Sequence, residues 1–379
     1  MQLLKLVANQ IKAGAPLPFG VRDEHGKLLL SAGQMVASES QLESLLERGL
    51  YADIEEIRAY KARYGHAGHA TTRKLTLFDL WEQAIWRLQR LYESADQQDN
   101  FVRPCSEFAA QLMGLVRRDP DVGIYLSMRQ DERRLNLYGL THSLHTALVC
   151  QLMATRLGWS EQRAVTLVQA ALTMNIAIHE LQGKMAVMGR PSESQRELIR
   201  QHPARSVELL RAAGVTDPGW LTAVAQHHEH PTGSGYPHGL KQIDELALAL
   251  GLADVFMAKI SPRAQRPALP IQEAARQMYT EARGSAVAAP IAAAIIKEYG
   301  IYPPGDFVQL ASGELAVVIR RGETAHTPLA AAITDRSGMP VVSTLRRDTS
   351  QPAFAIVGPA SDRKLAVRVP PERLFGLLE

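Results

Sequence analysis

Short apolar alternations broken by turn residues open the chain. Pro16, Pro18 and Gly20 lead into Asp23-Glu24-His25-Gly26 and then Lys27-Leu28-Leu29-Leu30, an arrangement that predicts a hairpin. Leu42, Leu45 and Leu46 share one face of a helix expected near Ser38–Arg48, and Gly49 is its natural stop. Gly65, His66, Gly68 and His69 fall in a soft stretch from Ala59 to Arg73. A His-rich tract can hold metal, but these small, polar surroundings read as a solvated linker. From Leu75 to Tyr299 the period becomes helical, beginning with the Trp81, Ile85, Leu88 and Leu91 stripe, which reads as core. Further helices are expected over Cys105–Arg117, Leu140–Leu157, Glu161–Ile178, Glu193–Ala213, Pro218–His228, Ile243–Ile260 and Ile271–Arg283. After Pro303-Pro304-Gly305 come strand-like runs at Phe307–Leu310, Leu315–Ile319 and Ala330–Thr334, separated by Gly313, Gly322 and Gly338. The pattern therefore gives a small N-terminal α/β region (1–60), a linker (61–73), a mainly α bundle (74–300) and a small β-rich C-terminal domain (301–379).

Composition narrows the function classes. A chain of 379 residues with 46% hydrophobic and 21% charged residues has the balance of a folded protein of two or three domains. Its formal charge is only +3 and no Lys/Arg run reaches five, which argues against nucleic acid but leaves room for a small anionic ligand. Cys105 and Cys150 form no C-x-x-C pair and read as buried, reduced thiols of a cytoplasmic protein. Met1 to Ala13 lacks a continuous apolar run, so no signal peptide is expected, and no apolar stretch is long enough to span a membrane.

The chemistry concentrates in the helical region. His142 opens a helix, His202 lies in Gln201-His202-Pro203, His227 and His228 are adjacent and followed by Glu229, and Asp254 lies in Leu252-Ala253-Asp254-Val255. Imidazoles and carboxylates on separate helices can converge in a bundle core to hold a divalent metal. A single helical His means little, and His145, His179, His230 and His238 read as surface or internally satisfied residues. The stretch His227-His228-Glu229-His230-Pro231-Thr232-Gly233-Ser234-Gly235-Tyr236-Pro237 resembles the signature of the HD-GYP family, a branch of the HD-type phosphohydrolases whose members cleave cyclic di-GMP. His142-Ser143, Gln201-His202-Pro203 and Ala253-Asp254-Val255-Phe256 resemble its ligand segments, and Arg263 and Arg266 resemble the basic segment that follows.

The resemblance implies an HD-type helical bundle whose metal ligands are His142, His202, His227, His228 and Asp254. It also implies a nucleotide site made by Gly235, Tyr236, Pro237, Arg263 and Arg266. The chemistry of such a site is intelligible. Two cations about 3.5–4 Å apart acidify a water and neutralise phosphate oxygens. Glycines let a ligand approach the backbone, and guanidiniums grip phosphate or guanine edges. Glu229 is expected to orient a ligand imidazole.

This chain departs from the family pattern at the His-Asp pair itself. The corresponding run is Leu172-Thr173-Met174-Asn175-Ile176-Ala177-Ile178. Met174 stands at the ligand His, Asn175 at the bridging Asp and Ile178 at the phosphate-facing Lys. A thioether is a poor ligand for iron or manganese, and an amide keeps an oxygen but loses the charge that joins two cations. His202, His227 and His228 remain a workable set for one ion, whereas His142 and Asp254 are too few for a second. The expectation is at most one iron or manganese ion, with none as the alternative. His179-Glu180-Leu181-Gln182-Gly183-Lys184 offers a competing register, set against by the helical turn that five residues introduce. Gln265 replaces a Tyr common in the arginine segment.

Three functions follow. The first is an HD-GYP-like cyclic di-GMP signalling protein with weak or no hydrolysis that acts by binding the nucleotide or a partner. Diguanylate cyclase-type proteins are among the partners the resemblance implies. The second is an active metal-dependent cyclic di-GMP phosphodiesterase. The third is an adaptor without a ligand, its terminal domains carrying the interactions.

Overall fold

The computed structural model describes residues 3–5, 17, 19–34, 51–57, 75–95, 101–360 and 369–376, which fall into two compact units divided between Lys74 and Leu75. The helix expected near Ser38–Arg48 and the linker lie outside the described residues.

In the first unit, β1 (Leu3–Lys5), β2 (Val21–Arg22), β3 (Leu28–Leu30) and β4 (Tyr51–Asp53) form an antiparallel sheet in the order β1-β4-β2-β3. The expected hairpin is β2–β3, its turn held by the Asp23 carboxylate accepting from the backbone N–H groups of His25 and Lys27, both at 2.9 Å. Glu56 ties this unit together by accepting from Gly20 N at 2.8 Å and from the Arg22 guanidinium at 3.0 Å.

The second unit begins with α1 (Leu77–Glu93), opened by a capping box between Thr76 and Asp79. Its stripe is core as expected, with Trp81, Leu88 and Leu91 buried and Ile85 half-buried. Next come α2 (Val102–Arg118) and α3 (Pro120–Met128), which starts on an Asp119 cap with Pro120 in its first turn. A 3₁₀ turn, Glu132–Leu137, leads into α4 (Tyr138–Arg156). This helix is buried on nearly every side, and it packs against α1, α2, α5 (Glu161–Thr173), α6 (His179–Met188), α9 (Glu245–Ile260) and α11 (Ala288–Tyr299). Helices α7 (Glu193–Ala212), α8 (Pro218–Gln226) and α10 (Ile271–Ala282) complete the bundle. Helices α3, α6 and α11 lie inside the stretch expected to be helical, but the sequence did not delimit them one by one.

One helix expected as continuous is two. The run Glu161–Ile178 stops at Thr173, turns through Met174–Ile178, and restarts as α6 at His179. Ser206 on α7 fixes that turn, since its hydroxyl donates to Met174 O at 2.9 Å and accepts from Ala177 N at 3.4 Å. Tyr92 donates to Leu172 O at 2.5 Å just before the break. Tertiary hydrogen bonds here replace the helical ones.

Beyond the bundle, β5 (Phe307–Leu310), β6 (Leu315–Arg320), β7 (Leu329–Thr334), β8 (Pro340–Asp348) and β9 (Ile356–Pro359) form an antiparallel sheet in the order β8-β7-β6-β5-β9. The strands alternate as a two-faced sheet should. Phe307, Val317, Ile319, Ala331 and Ile333 join the helical core, while Val308, Leu310, Ala316, Val318 and Ala330 make a separate cluster on the other face. Ionic contacts reinforce the junction, with Arg320 donating to Asp119 at 2.6 Å and Arg321 to Asp121 at 2.6 Å.

Candidate metal centre and nucleotide pocket

Two elements bring three imidazoles together. His202 comes from the middle of α7, and His227 and His228 follow directly on α8. One ligand atom from each lies within 4.8 Å of the others. Gly251 makes this possible, because α9 crosses so close to the end of α8 that a Cβ there would stand 2.3 Å from His227 O.

Hydrogen bonds set the tautomers. His202 Nδ1 lies 2.6 Å from Ile199 O and His227 Nδ1 lies 2.7 Å from Val224 O, so each Nδ1 carries the proton it donates. Each Nε2 therefore presents a lone pair, and the two Nε2 atoms are only 3.2 Å apart. Two lone pairs cannot hydrogen-bond to each other. Burial, then the neighbouring His227, lowers His202 to about 3, so protonation does not relieve the contact. Burial also lowers His227, and burial with His227 beside it takes His228 well below the ordinary imidazole range. For ligands about 2.0–2.1 Å from a metal, donor atoms sit roughly 3–3.4 Å apart. The His202–His227 pair fits that spacing, and His228 offers a third donor within 4.8 Å.

Asn175 supports the same reading. It is 1% exposed, and neither its Oδ1 nor its Nδ2 has a hydrogen-bond partner. A buried orphan amide costs about 1–3 kcal/mol, and a cation accepting electron density from Oδ1 would offset it. Met174 is fully buried and Ile178 nearly so, both presenting apolar side chains.

His142 and Asp254 form a pair of their own, Nε2 to Oδ1 at 2.6 Å, buried between α4 and α9. Burial pushes the Asp254 carboxyl up. The hydrogen bond and charge of His142, joined by His228 and His227, outweigh it and hold the group below its usual range. Tyr138 stacks on His142 with ring centroids 5.2 Å apart and planes 11° from parallel.

The Gly-Tyr-Pro loop closes over the imidazoles. Tyr236 stacks on His228 at 4.6 Å and 27°, while Tyr236 N donates to His228 O at 3.1 Å. Gly235 is required here, since a Cβ would meet His230 N at 2.4 Å and Glu229 Cα at 2.5 Å. Glu229 holds the loop rather than an imidazole. Its two carboxylate oxygens accept from His238 N at 2.7 Å and Leu240 N at 2.8 Å. The arginines are turned to the protein. Arg263 donates to the Tyr138 hydroxyl at 2.7 Å with its guanidinium 4.8 Å over that ring, and Arg266 donates to Ala258 O.

The other histidines divide. His230 is exposed with Thr232 at 2.7 Å, and His238 is exposed. His179 lies against Tyr92, its Nδ1 3.1 Å from Ile176 O, and Lys184 pairs on the surface with Glu180. Because the helix breaks between Thr173 and His179, a five-residue helical turn does not separate His179 from Met174. His179 nonetheless lies outside the three-imidazole group. His145 departs from expectation: it is 5% exposed, and its Nδ1 has no partner. The sequence signal, one helical turn from His142, was present but did not distinguish it.

Residues 127–286 match the HD domain family, and this span contains the imidazoles, Asn175, the His142–Asp254 pair and the Gly-Tyr-Pro loop. This region is an HD domain similar to those of HD-GYP proteins. The chain is 31% identical over 195 residues to cyclic di-GMP phosphodiesterase PA4108 of Pseudomonas aeruginosa, covering 49% of this chain and 46% of that protein. It is likewise 31% identical over 144 residues to the cyclic di-GMP phosphodiesterase response regulator RpfG of Xanthomonas campestris, covering 35% and 36%. To the 3'3'-cGAMP-specific phosphodiesterase 1 of Vibrio cholerae it is 26% identical over 176 residues, covering 45% and 39%. The chain thus spans less than half the length of these relatives. Its fold is similar to that of Bd1817, an HDG"Y"P protein of Bdellovibrio bacteriovorus, with a TM-score of 0.53 and 15% identity over 78% of this chain and 99% of that one. Among the described residues no helix is long and apolar enough to cross a membrane.

Proposed function

We propose that this HD-GYP protein is a cyclic-dinucleotide signalling module that holds one divalent cation, iron or manganese, and hydrolyses its ligand weakly or not at all. The observation that carries the reading is the pair of Nε2 lone pairs facing each other at 3.2 Å, and the buried, unpartnered Asn175 amide supports it. His202, His227 and His228 would hold the ion, with Asn175 Oδ1 as a neutral fourth donor. A cation held there supplies positive charge for phosphate oxygens and Lewis acidity. His142 and Asp254 satisfy each other, so they do not assemble a second site.

The remaining residues bind and orient. Tyr236, stacked on His228, offers a face beside the ion for a base or sugar, and Gly235 lets a ligand approach the backbone. Asn175 in place of a carboxylate removes the bridging charge, and Ile178 in place of a lysine removes a phosphate contact. Both losses weaken the transition state more than the bound state, because charge develops only in the former. Cyclic di-GMP is the first ligand to test, after the names of two relatives, and 3'3'-cGAMP the second.

The test is calorimetric titration of each dinucleotide with and without manganese, alongside metal analysis and chromatography of the product. Up to one metal per chain, manganese-dependent binding and little linear product are expected. Two metals with rapid turnover would establish the active phosphodiesterase instead. No metal and no binding would leave the adaptor, and with it the partner-protein role.

A further inference from the structure

The turn Arg263-Ala264-Gln265-Arg266 carries two guanidiniums and no acid. Its ends bond to each other, Arg263 N donating to Arg266 O at 2.9 Å and Arg266 N to Arg263 O at 3.0 Å. Ala264 N donates to Ala186 O on α6 at 2.8 Å, so the backbone of the turn is fixed to the bundle. Among the described residues neither guanidinium pairs with a carboxylate. A half-buried charge such as that of Arg263 is ordinarily balanced by an opposite one. Here both side chains reach neutral oxygens instead, Arg263 the Tyr138 hydroxyl and Arg266 the Ala258 carbonyl.

Tyr138 holds Arg263 in two ways. The guanidinium donates to the phenol oxygen at 2.7 Å and lies 4.8 Å over the ring. Tyr138 is itself buried and stacked on His142, which bonds to Asp254 at 2.6 Å. Asp254 in turn lies near enough to His228 and His227 to be influenced by both. A chain of side-chain contacts thus runs from the held guanidinium to the edge of the imidazole group. We infer that Tyr138 is a latch, whose hydroxyl keeps Arg263 in a resting position from which an anionic ligand of the site must take it. This rests on the dinucleotide reading above and adds a regulation to it. A phosphate is the stronger acceptor, because it meets the guanidinium with charge and in bidentate geometry. Release needs only rotation of the Arg263 side chain, since the backbone of the turn stays bound to α6. Tyr138 is therefore a positioning residue that acts through Arg263.

Tyr138→Phe keeps both ring contacts and removes only the hydroxyl. Cyclic di-GMP is titrated by calorimetry into the full chain in manganese, for the natural sequence, Tyr138→Phe, Arg263→Ala and the double variant, with elemental analysis of each. Losing the resting hydrogen bond should raise affinity about tenfold, the worth of one charge-assisted bond partly open to water. Metal content should not change. Structural damage would lower affinity, so the sign separates a latch from a merely structural role. Arg263→Ala should weaken binding, and adding Tyr138→Phe to it should then change nothing. Binding that appears only in Tyr138→Phe supports the latch as well. Equal or weaker binding in a folded Tyr138→Phe, beside a natural sequence that binds, overturns the latch and leaves the dinucleotide reading standing. So does a gain that persists without Arg263. No binding in any of the four proteins overturns both. If Tyr138→Phe does not fold, Arg263→Ala decides alone, and affinity equal to that of the natural sequence overturns the proposal.

Discussion

Asn175→Asp tests the cage most directly, because its effect should reverse sign with metal. Asn175 is 1% exposed and its amide touches no hydrogen-bond partner. A carboxyl placed there without metal is a buried group with nothing to pair it, so the metal-free protein should lose about 1–3 kcal/mol. At about 2–4 °C per kcal/mol for a unit of this size, melting should fall by several degrees. With a divalent cation the same group becomes an ionic ligand. Two unit charges at about 4 Å and an effective dielectric of about 20 attract by about 4 kcal/mol, so a doubly charged ion gains about 8 kcal/mol. The buried carboxylate returns several of those to desolvation. The net gain of about 2–4 kcal/mol corresponds to manganese affinity raised roughly 30- to 1000-fold. Adding Met174→His supplies an imidazole where a thioether now stands and should raise metal content further. The assays are elemental analysis and melting curves in EDTA and in manganese. Metal content that stays flat in the double variant, with coincident curves, would refute the assignment of Met174 and Asn175 to the ligand positions.

The remaining predictions follow from the same geometry. His227→Ala removes one of two facing lone pairs; metal-induced stabilisation should disappear in a melting assay, while the metal-free protein melts within about 1 kcal/mol of the natural sequence, the lost packing being offset by relief of the Nε2 contact. Gly235→Ala drives a Cβ into the Glu229–His230 backbone, so calorimetry should show dinucleotide binding lost with metal content retained. Arg321→Ala removes the guanidinium shared by Asp121 and Glu298, which keep Arg320 and Arg156 beside them, and denaturant titration should show a loss of about 1–3 kcal/mol. Cys105 and Cys150 are free and fully buried, and burial pushes both thiols up, so a thiol-specific chromogenic reagent should find neither until the protein unfolds.

Much of the fold was legible because hydrophobic periodicity follows packing. The Trp81 stripe marks a helix that forms, and the structure adds caps at Ser192 with Gln195 and at Asp217 to two more expected helices. The bundle and strand-rich flank were legible for the same reason. The break at Met174–Ile178 was not, because Ser206, far along the chain, creates it by bonding both ends of the turn. Strand β8 was hidden because its Arg346-Arg347 sequence looks like surface, yet Arg347 pairs with the buried Glu314 at 2.6 Å. At the site, the Gly-Tyr-Pro wording located the imidazoles, but residue identity says nothing of direction. Arg263 was read as facing phosphate and instead caps Tyr138, while Glu229 was read as steering an imidazole and instead staples a loop.

The energetics of the cage give the strongest reason to regard it as working rather than residual. A fossil site would relax by letting its polar groups satisfy one another, and His142 with Asp254 does so at 2.6 Å. The three-imidazole site does not. Both Nδ1 protons of His202 and His227 are committed to backbone carbonyls, so their Nε2 lone pairs face each other, and the buried Asn175 keeps two unpaired polar atoms. Each unmet group costs about 1–3 kcal/mol, against a total stability of only about 5–15 kcal/mol. Apolar residues of similar size would serve folding better at these positions, as Met174 already does next door. A divalent cation accepts imidazole lone pairs at this spacing, so the atoms that face each other in the metal-free fold are those that would bind an ion.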